Sequence, residues 1–354
     1  MRALVCHRHG PVEDVLVDEI ADAPAPGPDD VTLAVDYASV SHATKLLIEG
    51  RYQSRPPLPF APGTEAAGRV IACGANVTRI KPGDRVVALS RWGCYAEHLT
   101  VPEYTVYPVP DDLPLLTALP IPISYGTAWA ALRWRADMQP GETVLVLGAG
   151  SGVGLAAVEI ASALGATVIA CASTPAKRQA ALDAGAAHAF AADEDMAQAV
   201  KAASAGRGAD VVLDAVGGDA FERSVRAAAA NARMVSVGFA SGRIPEVPLN
   251  LLLVKNIALH GFFFGRYIGW TPADERIVHA PAVQRTMATL FDWARSQRIR
   301  PAVTAIYPIT GLAAALAALE SRQVVGKVAI TITTETTPCM PTTSGAPPGP
   351  AAPA

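Results

Sequence analysis

The stretch Thr143–Gly154 reads T-V-L-V-L-G-A-G-S-G-V-G, and it constrains the fold more than any other part of the chain. Five residues that favour a buried parallel strand run straight into glycines at 148, 150, 152 and 154. An apolar helical pattern follows, Leu155 to Leu164. Strand, glycine turn and helix in that order form the layout that receives a dinucleotide pyrophosphate. Glycine lets the turn be tight and lets backbone N–H groups approach phosphate oxygens. The helix N-terminus adds unpaired N–H donors and a partial positive charge. Gly150, Ser151, Gly152, Val153 and Gly154 are therefore the expected pyrophosphate cradle. The spacing is not a strict G-x-G-x-x-G; in three-residue steps it reads Gly148-x-x-Ser151-x-x-Gly154.

Around this turn the chain alternates strand and helix patterns. Val144–Leu147, Thr167–Ala172, Val211–Asp214, Met234–Val237 and Ile257–Leu259 read as strands. Between them lie helical stretches such as Pro175–Ala184, with Thr174 as cap and Gly185 as stop, and Asp219–Ala230. That alternation predicts a doubly wound parallel sheet of the Rossmann kind over residues 122–265. Residues 1–121 read instead as short β runs punctuated by Gly, Pro and Asp, as in Pro24–Asp30 and Lys81–Asp84. Residues 266–332 carry helical patterns at Ala282–Ser296 and Gly311–Glu320 and a last strand at Lys327–Thr331, and are expected to return to the first unit. The tail, 333–354, is Thr, Pro, Ala and Gly with few apolar anchors, and is expected to be disordered.

A length of 354 residues suits two domains, and 51% hydrophobic residues support a large core. The formal net charge is −3 with Lys and Arg scattered, which points away from a nucleic-acid partner. The N-terminus lacks a signal-peptide run, and no apolar stretch looks long enough to span a bilayer, so a cytoplasmic protein is expected. The cysteines at 6, 73, 94, 171 and 339 form no C-x-x-C pair. Cys6, His7 and His9 invite a metal reading, but Arg2–His7 alternates like a strand.

Several segments together carry a family resemblance. They are Pro59–Gly68, Lys81–Val86, Gly93-Cys-Tyr-Ala-Glu97, Tyr125–Ala128, the glycine turn, Asp214–Asp219, Val237–Gly242 and Gly326-Lys327-Val328. On these the chain resembles the medium-chain dehydrogenase/reductases, and within them the zinc-independent quinone oxidoreductases, over residues 1 to about 331. The resemblance implies a split catalytic domain like chaperonin-10, made of 1–121 and 266–332, around the nucleotide-binding unit. It also implies that the three zinc-ligand positions of the related alcohol dehydrogenases fall on Ser41, Thr64 and near Ile123. None is a good zinc ligand, so no metal is expected. Without a Lewis acid to ionise an alcohol, hydride is expected to pass to an acceptor already electrophilic, a quinone or a conjugated carbonyl.

The second strand ends Cys171-Ala-Ser-Thr-Pro-Ala-Lys177-Arg178, with Ala172 where an NAD site places a carboxylate. Ser173 and Lys177 are candidates to hold a 2′-phosphate, which makes NADPH the expected cofactor. The alternative for Lys177 is the solvated face of a helix capped by Thr174. The resemblance further implies cofactor contacts at Thr127, Gly217, Phe239, Ser241 and Asn250. Tyr52 is the candidate proton donor or positioning group, because a phenol can hydrogen-bond a developing enolate or hydroquinone oxygen; packing against Pro56-Pro57 is the alternative. Ser41 is the second catalytic candidate. Ser41 and Thr44 stand where these reductases usually carry Asn and Asp, and His42 between them is either an added acid or a side chain that faces solvent or the domain core.

Two other functions stay open. One is reduction of an enoyl thioester, with Arg51, Arg55, Arg133, Arg135 and Arg266 as a basic rim for CoA. The other is a cofactor-binding protein without turnover. The resemblance also implies a homodimer joined through sheet edges; the apolar segment Leu249–Phe264 suits that interface or, alternatively, the core or cleft.

Overall fold

The computed structural model describes residues 1–12, 16–20, 25–192 and 194–332; the expected disorder of 333–354 lies outside them. Its centre is a six-stranded, all-parallel sheet. The order is His188–Phe190, Thr167–Cys171, Thr143–Leu147, Ala209–Asp214, Ala228–Ser236, Ala258–Gly261. Strand order reverses at Thr143–Leu147, so the glycine turn leaves the sheet at its topological switch point, where open α/β sheets bind ligands. Every residue of Thr143–Leu147 is buried, as a parallel strand covered on both faces requires. Helix Gly152–Ala163 closes one face with Ala156, Ala157, Val158, Ile160 and Ala161. Helix Pro175–Asp183 is capped by Thr174, whose Oγ1 accepts the Lys177 N–H, and the chain turns away at Gly185 with φ +104°.

The second sheet draws strands from both ends of the chain. Its order is Val303–Pro308, Lys327–Thr331, Asp30–Val40, Glu65–Cys73, Arg85–Leu89, Val106–Pro108, and His98–Pro102 also pairs with Asp30–Val40. Val40 faces Val328 in register. That pairing sets the end of Asp30–Val40, and Ser41 after it, beside Lys327. A two-stranded ribbon of Arg2–Cys6 and Leu16–Ile20 joins this sheet where the Leu4 N–H donates to the Tyr95 carbonyl.

Three expectations need correcting, and one strand was not anticipated. Helix Gly218–Ala227 stops short of Ala230, and Ala228–Ser236 is strand from its first residue. Alanine favours helix, but Ala228 pairs with Ala209, and a Cβ on Gly208 would lie 2.7 Å from the Ala227 carbonyl oxygen. Close sheet pairing overrides the local preference there. Val303–Pro308, whose burial alternates along an edge, is a strand the apolar pattern does not announce. Helix Arg276–Arg295 begins before Ala282 and carries Pro281 inside it. Finally, the helical run Leu115–Arg135 is long and apolar enough by length and composition to span a bilayer, contrary to the expectation that no stretch is; most of it is buried in the core.

Candidate functional site

The glycine turn is held by its own hydroxyl. Ser151 Oγ donates to the Gly148 carbonyl at 2.8 Å and accepts the Gly154 N–H at 3.1 Å, so it caps helix Gly152–Ala163. Gly148 has φ +71°. A Cβ on Gly154 would lie 2.1 Å from the Gly148 carbonyl oxygen, so only glycine fits there. A Cβ on Gly150 would overlap the stem of Lys177, 2.4 Å from its Cγ. Gly152 and Val153 form the first turn of the helix, half-buried and free of side-chain bulk on the glycine. These features fit an anion at the helix start.

Lys177 answers the ambiguity left by its sequence. Its N–H is capped by Thr174, and its stem lies on the glycine turn rather than on a solvated face. Burial lowers its pKa first, and the neighbouring Arg322 lowers it further. The positive charge of Arg322 is thus felt at Lys177, and residues 172 and 173 are Ala and Ser rather than carboxylates. Ser173 is exposed. Arg322, in a left-handed turn at φ +58°, is a residue the sequence reading missed.

Gly217, Phe239 and Ser241 come together. Gly217 has φ +70°, and a Cβ on it would lie 2.9 Å from Phe239 Cδ1. The Ser241 N–H donates to the Val216 carbonyl at 2.9 Å, and its hydroxyl bonds the Arg243 backbone. Asp214 holds this loop: its fully buried carboxylate accepts N–H bonds from Val216 and Gly217 at 2.9–3.0 Å. Burial raises its pKa to about 6 despite those bonds. Asn250 lies exposed on helix Leu249–Lys255 and bonds none of these residues. Thr127 is half-buried in the helical turn Gly126–Trp129.

A buried polar chain joins the second sheet to the glycine helix. Lys327 lays its methylenes against Gly152, within 3.3 Å of where a Cβ would stand. Its Nζ is 3.4 Å from Glu65 Oε2. Glu65, fully buried, also accepts from Ser39 Oγ at 2.7 Å and from the Ile123 N–H at 2.9 Å. The Gly326 N–H donates to the Gly150 carbonyl at 3.0 Å. Sequence reading placed Lys327 in a motif without assigning it a task and passed over Glu65.

Ser41 caps the short helix His42–Ile48 by position but makes no side-chain cap bond. Its Oγ lies 3.4 Å from Thr44 Oγ1, which lies 3.2 Å from Tyr95 Oη. His42 is exposed. Tyr52 is half-buried, its hydroxyl bonds no described residue, and burial raises its pKa. With Ser41 and Thr64 as hydroxyls and Ile123 apolar, the donor set does not fit a zinc ion; Glu65 beside them is committed to Lys327, Ser39 and Ile123. Cys6, His7 and His9 serve different partners, the Arg8 carbonyl, Glu19 and the Ile48 carbonyl.

A parallel dinucleotide-type sheet and a chaperonin-10-type sheet, joined at a glycine turn, define a medium-chain dehydrogenase/reductase. Residues 27–111 match the alcohol dehydrogenase GroES-like domain, and residues 152–279 match the zinc-binding dehydrogenase family. Quinone oxidoreductase-like protein 2 of Rattus norvegicus is 35% identical over 333 residues, 94% of this chain and 92% of its own length. Escherichia coli quinone oxidoreductase, solved with NADPH, superposes with a TM-score of 0.85 at 29% identity, over 94% of this chain and 100% of that one. A mycobacterial protein solved with NADPH gives 0.85 at 30% identity, with the same coverage. The chain belongs to the quinone oxidoreductase-like family of the medium-chain dehydrogenase/reductases, and it is an oxidoreductase.

Proposed function

We propose that this protein is a zinc-independent reductase that uses NADPH to reduce a quinone or another conjugated carbonyl compound. The observation that carries the reading is the Lys177 stem lying against Gly150 of the glycine turn, with Ala172 in place of a carboxylate and Arg322 close enough to lower the Lys177 pKa. Two cations and a hydroxyl at Ser173 suit a 2′-phosphate, which an acid there would repel. The relatives solved with NADPH support the same choice. The Gly150–Gly154 turn and Ser151 receive the pyrophosphate, and Thr127, Gly217, Phe239, Ser241 and Asn250 complete the nicotinamide side.

Bound NADPH supplies the hydride. The protein's part is to hold the two reactants in register and to stabilise the charge that develops on the acceptor's oxygen. Tyr52 serves that oxygen: burial keeps its phenol protonated, and its free hydroxyl has a proton to donate. The hydroquinone anion left by hydride transfer can take its one proton from water, whereas an enolate gains more from a placed donor. Residues 1–121 with 266–332 act as the catalytic unit and 122–265 as the cofactor unit, in a cytoplasmic homodimer. Edge strand Ala258–Gly261 and helix Leu249–Lys255, with Leu249, Leu253 and Val254 about three-quarters exposed, supply the dimer contact. Phe262 and Phe264 belong to the core instead.

An enoyl thioester fits less well, because part of the basic rim has other partners. Arg55 Nε donates to the Gly50 carbonyl, Arg133 to the Met138 carbonyl, and Arg266 pairs through two bonds with Glu275. The test is NADPH and NADH oxidation with benzoquinone, naphthoquinone, an enone and crotonyl-CoA, with and without EDTA. NADPH-dependent, EDTA-insensitive turnover of quinone or enone is expected. Turnover of the thioester alone, or of none, would overturn the reading. Tyr52→Phe should lower kcat by about 10²-fold with the enone and far less with a quinone.

A further inference from the structure

Three hydroxyls stand in file between the core and the end of strand Asp30–Val40. Tyr95 is fully buried, and its Oη donates to the Ser39 carbonyl at 3.0 Å. Thr44, also fully buried, follows at 3.2 Å, and half-buried Ser41 at 3.4 Å. A hydroxyl carries one proton and two lone pairs. The Tyr95 proton is committed to a carbonyl, so Thr44 must be the donor to Tyr95. Its proton is then in use, so Ser41 must be the donor to Thr44. Ser41 Oγ is left with lone pairs alone.

A second observation points the same way. Serine at a helix N-cap ordinarily accepts an N–H of the first turn, yet Ser41 makes no side-chain cap bond. Its lone pairs stay available, at a strand end that pairs with Val328, next to Lys327 and hence to Gly152 of the glycine turn.

We propose that Thr44 and Tyr95 are positioning residues that fix Ser41 as a hydrogen-bond acceptor for a donor on the nicotinamide riboside half of the cofactor. The inference rests on the NADPH reading. An acceptor has no proton for an oxyanion, so Ser41 does not serve the quinone or enone oxygen, which needs a donor. The carboxamide N–H and the ribose hydroxyls are the donors available on the cofactor.

The experiment is fluorescence titration with NADPH of the wild type, Ser41→Ala, Thr44→Val, Thr44→Ser and the Ser41→Ala/Thr44→Val pair. Ser41→Ala is expected to raise the Kd about fivefold, one hydrogen bond's worth. Thr44→Val should raise it less, the pair no more than Ser41→Ala alone, and Thr44→Ser should restore it. Repeating the series with the acetylpyridine analogue, which lacks the carboxamide N–H, separates the two donors. The Ser41→Ala effect vanishes if the partner is the carboxamide and persists if it is the ribose. Independent, multiplying effects would overturn the inference, as would a Ser41→Ala variant with unchanged Kd and lowered kcat. A wild type that binds NADH but not NADPH removes the cofactor reading itself, a separate result.

Discussion

The stem of Lys177 lies on Gly150, so closely that a Cβ on the glycine would come within 2.4 Å of Lys177 Cγ. This contact ties the phosphate-binding turn to the residue that distinguishes one dinucleotide from the other. Arg322 adds a second cation from the far end of the chain. Lys177→Ala and Arg322→Ala should each weaken NADPH about tenfold, roughly 1.4 kcal/mol, while leaving NADH nearly unchanged. Isothermal titration with both cofactors measures this directly. Equal losses for the two cofactors would remove the 2′-phosphate role.

The two crowded glycines should fail in different ways. Alanine at 154 meets backbone, the Gly148 carbonyl oxygen at 2.1 Å and Ala149 Cα at 2.9 Å. Gly154→Ala should therefore cost at least ~1–3 kcal/mol of stability, read from urea unfolding. Alanine at 150 meets only a flexible lysine stem. Gly150→Ala should keep its urea midpoint and lose affinity for NADPH.

Asp214 makes part of the stability depend on pH. Its folded pKa is raised from 3.8 to about 6 by burial. The folded state thus favours the protonated form. The contribution of this group is complete below about pH 3.8 and is lost as pH rises through about 6, roughly 3 kcal/mol in all. Asp214→Asn, which does not ionise, should gain stability relative to the wild type between pH 4 and pH 7. Paired urea titrations at the two pH values give the difference, and a pH-independent difference would contradict the buried, ionising carboxylate.

Glu65 and Lys327 should behave as a unit. Lys327→Met leaves a fully buried carboxylate without its cation and should cost about 3–5 kcal/mol. Adding Glu65→Gln to it should recover most of the loss, since the amide still accepts from Ile123 and needs no counter-charge. A double-mutant cycle by urea unfolding measures the coupling.

Different parts of the site were legible in the sequence to different degrees, for physical reasons. The glycine turn was readable because close approach to Gly148 excludes any side chain at 154, a demand met within seven residues. The cap at Thr174 was readable for the same reason. Whether Lys177 faced solvent or the turn was not, because both readings use one helix. In the sequence Asp214 stood only as the end of a strand and the start of a family segment, and its grip on the Gly217 N–H appeared only with the loop in place. Asn250 comes from family likeness alone; it stands exposed on helix Leu249–Lys255 and has no bond to the other site residues among the described ones. The strand Ala228–Ser236 was misread at its start because alanine's helical preference yields to pairing with Ala209.

By itself the sequence determined what depends on near neighbours: the strand–turn–helix, its order in a doubly wound sheet, the oxidoreductase family, and the residue types at 41, 64 and 123. Tertiary structure alone decided which charges meet and which way hydroxyls point. Glu65 finds Lys327, Lys177 finds Arg322, and Ser41 inherits its polarity from a carbonyl two hydroxyls away. Such relations depend on distances of a few ångströms between residues remote in the chain, and local patterning carries no record of those distances.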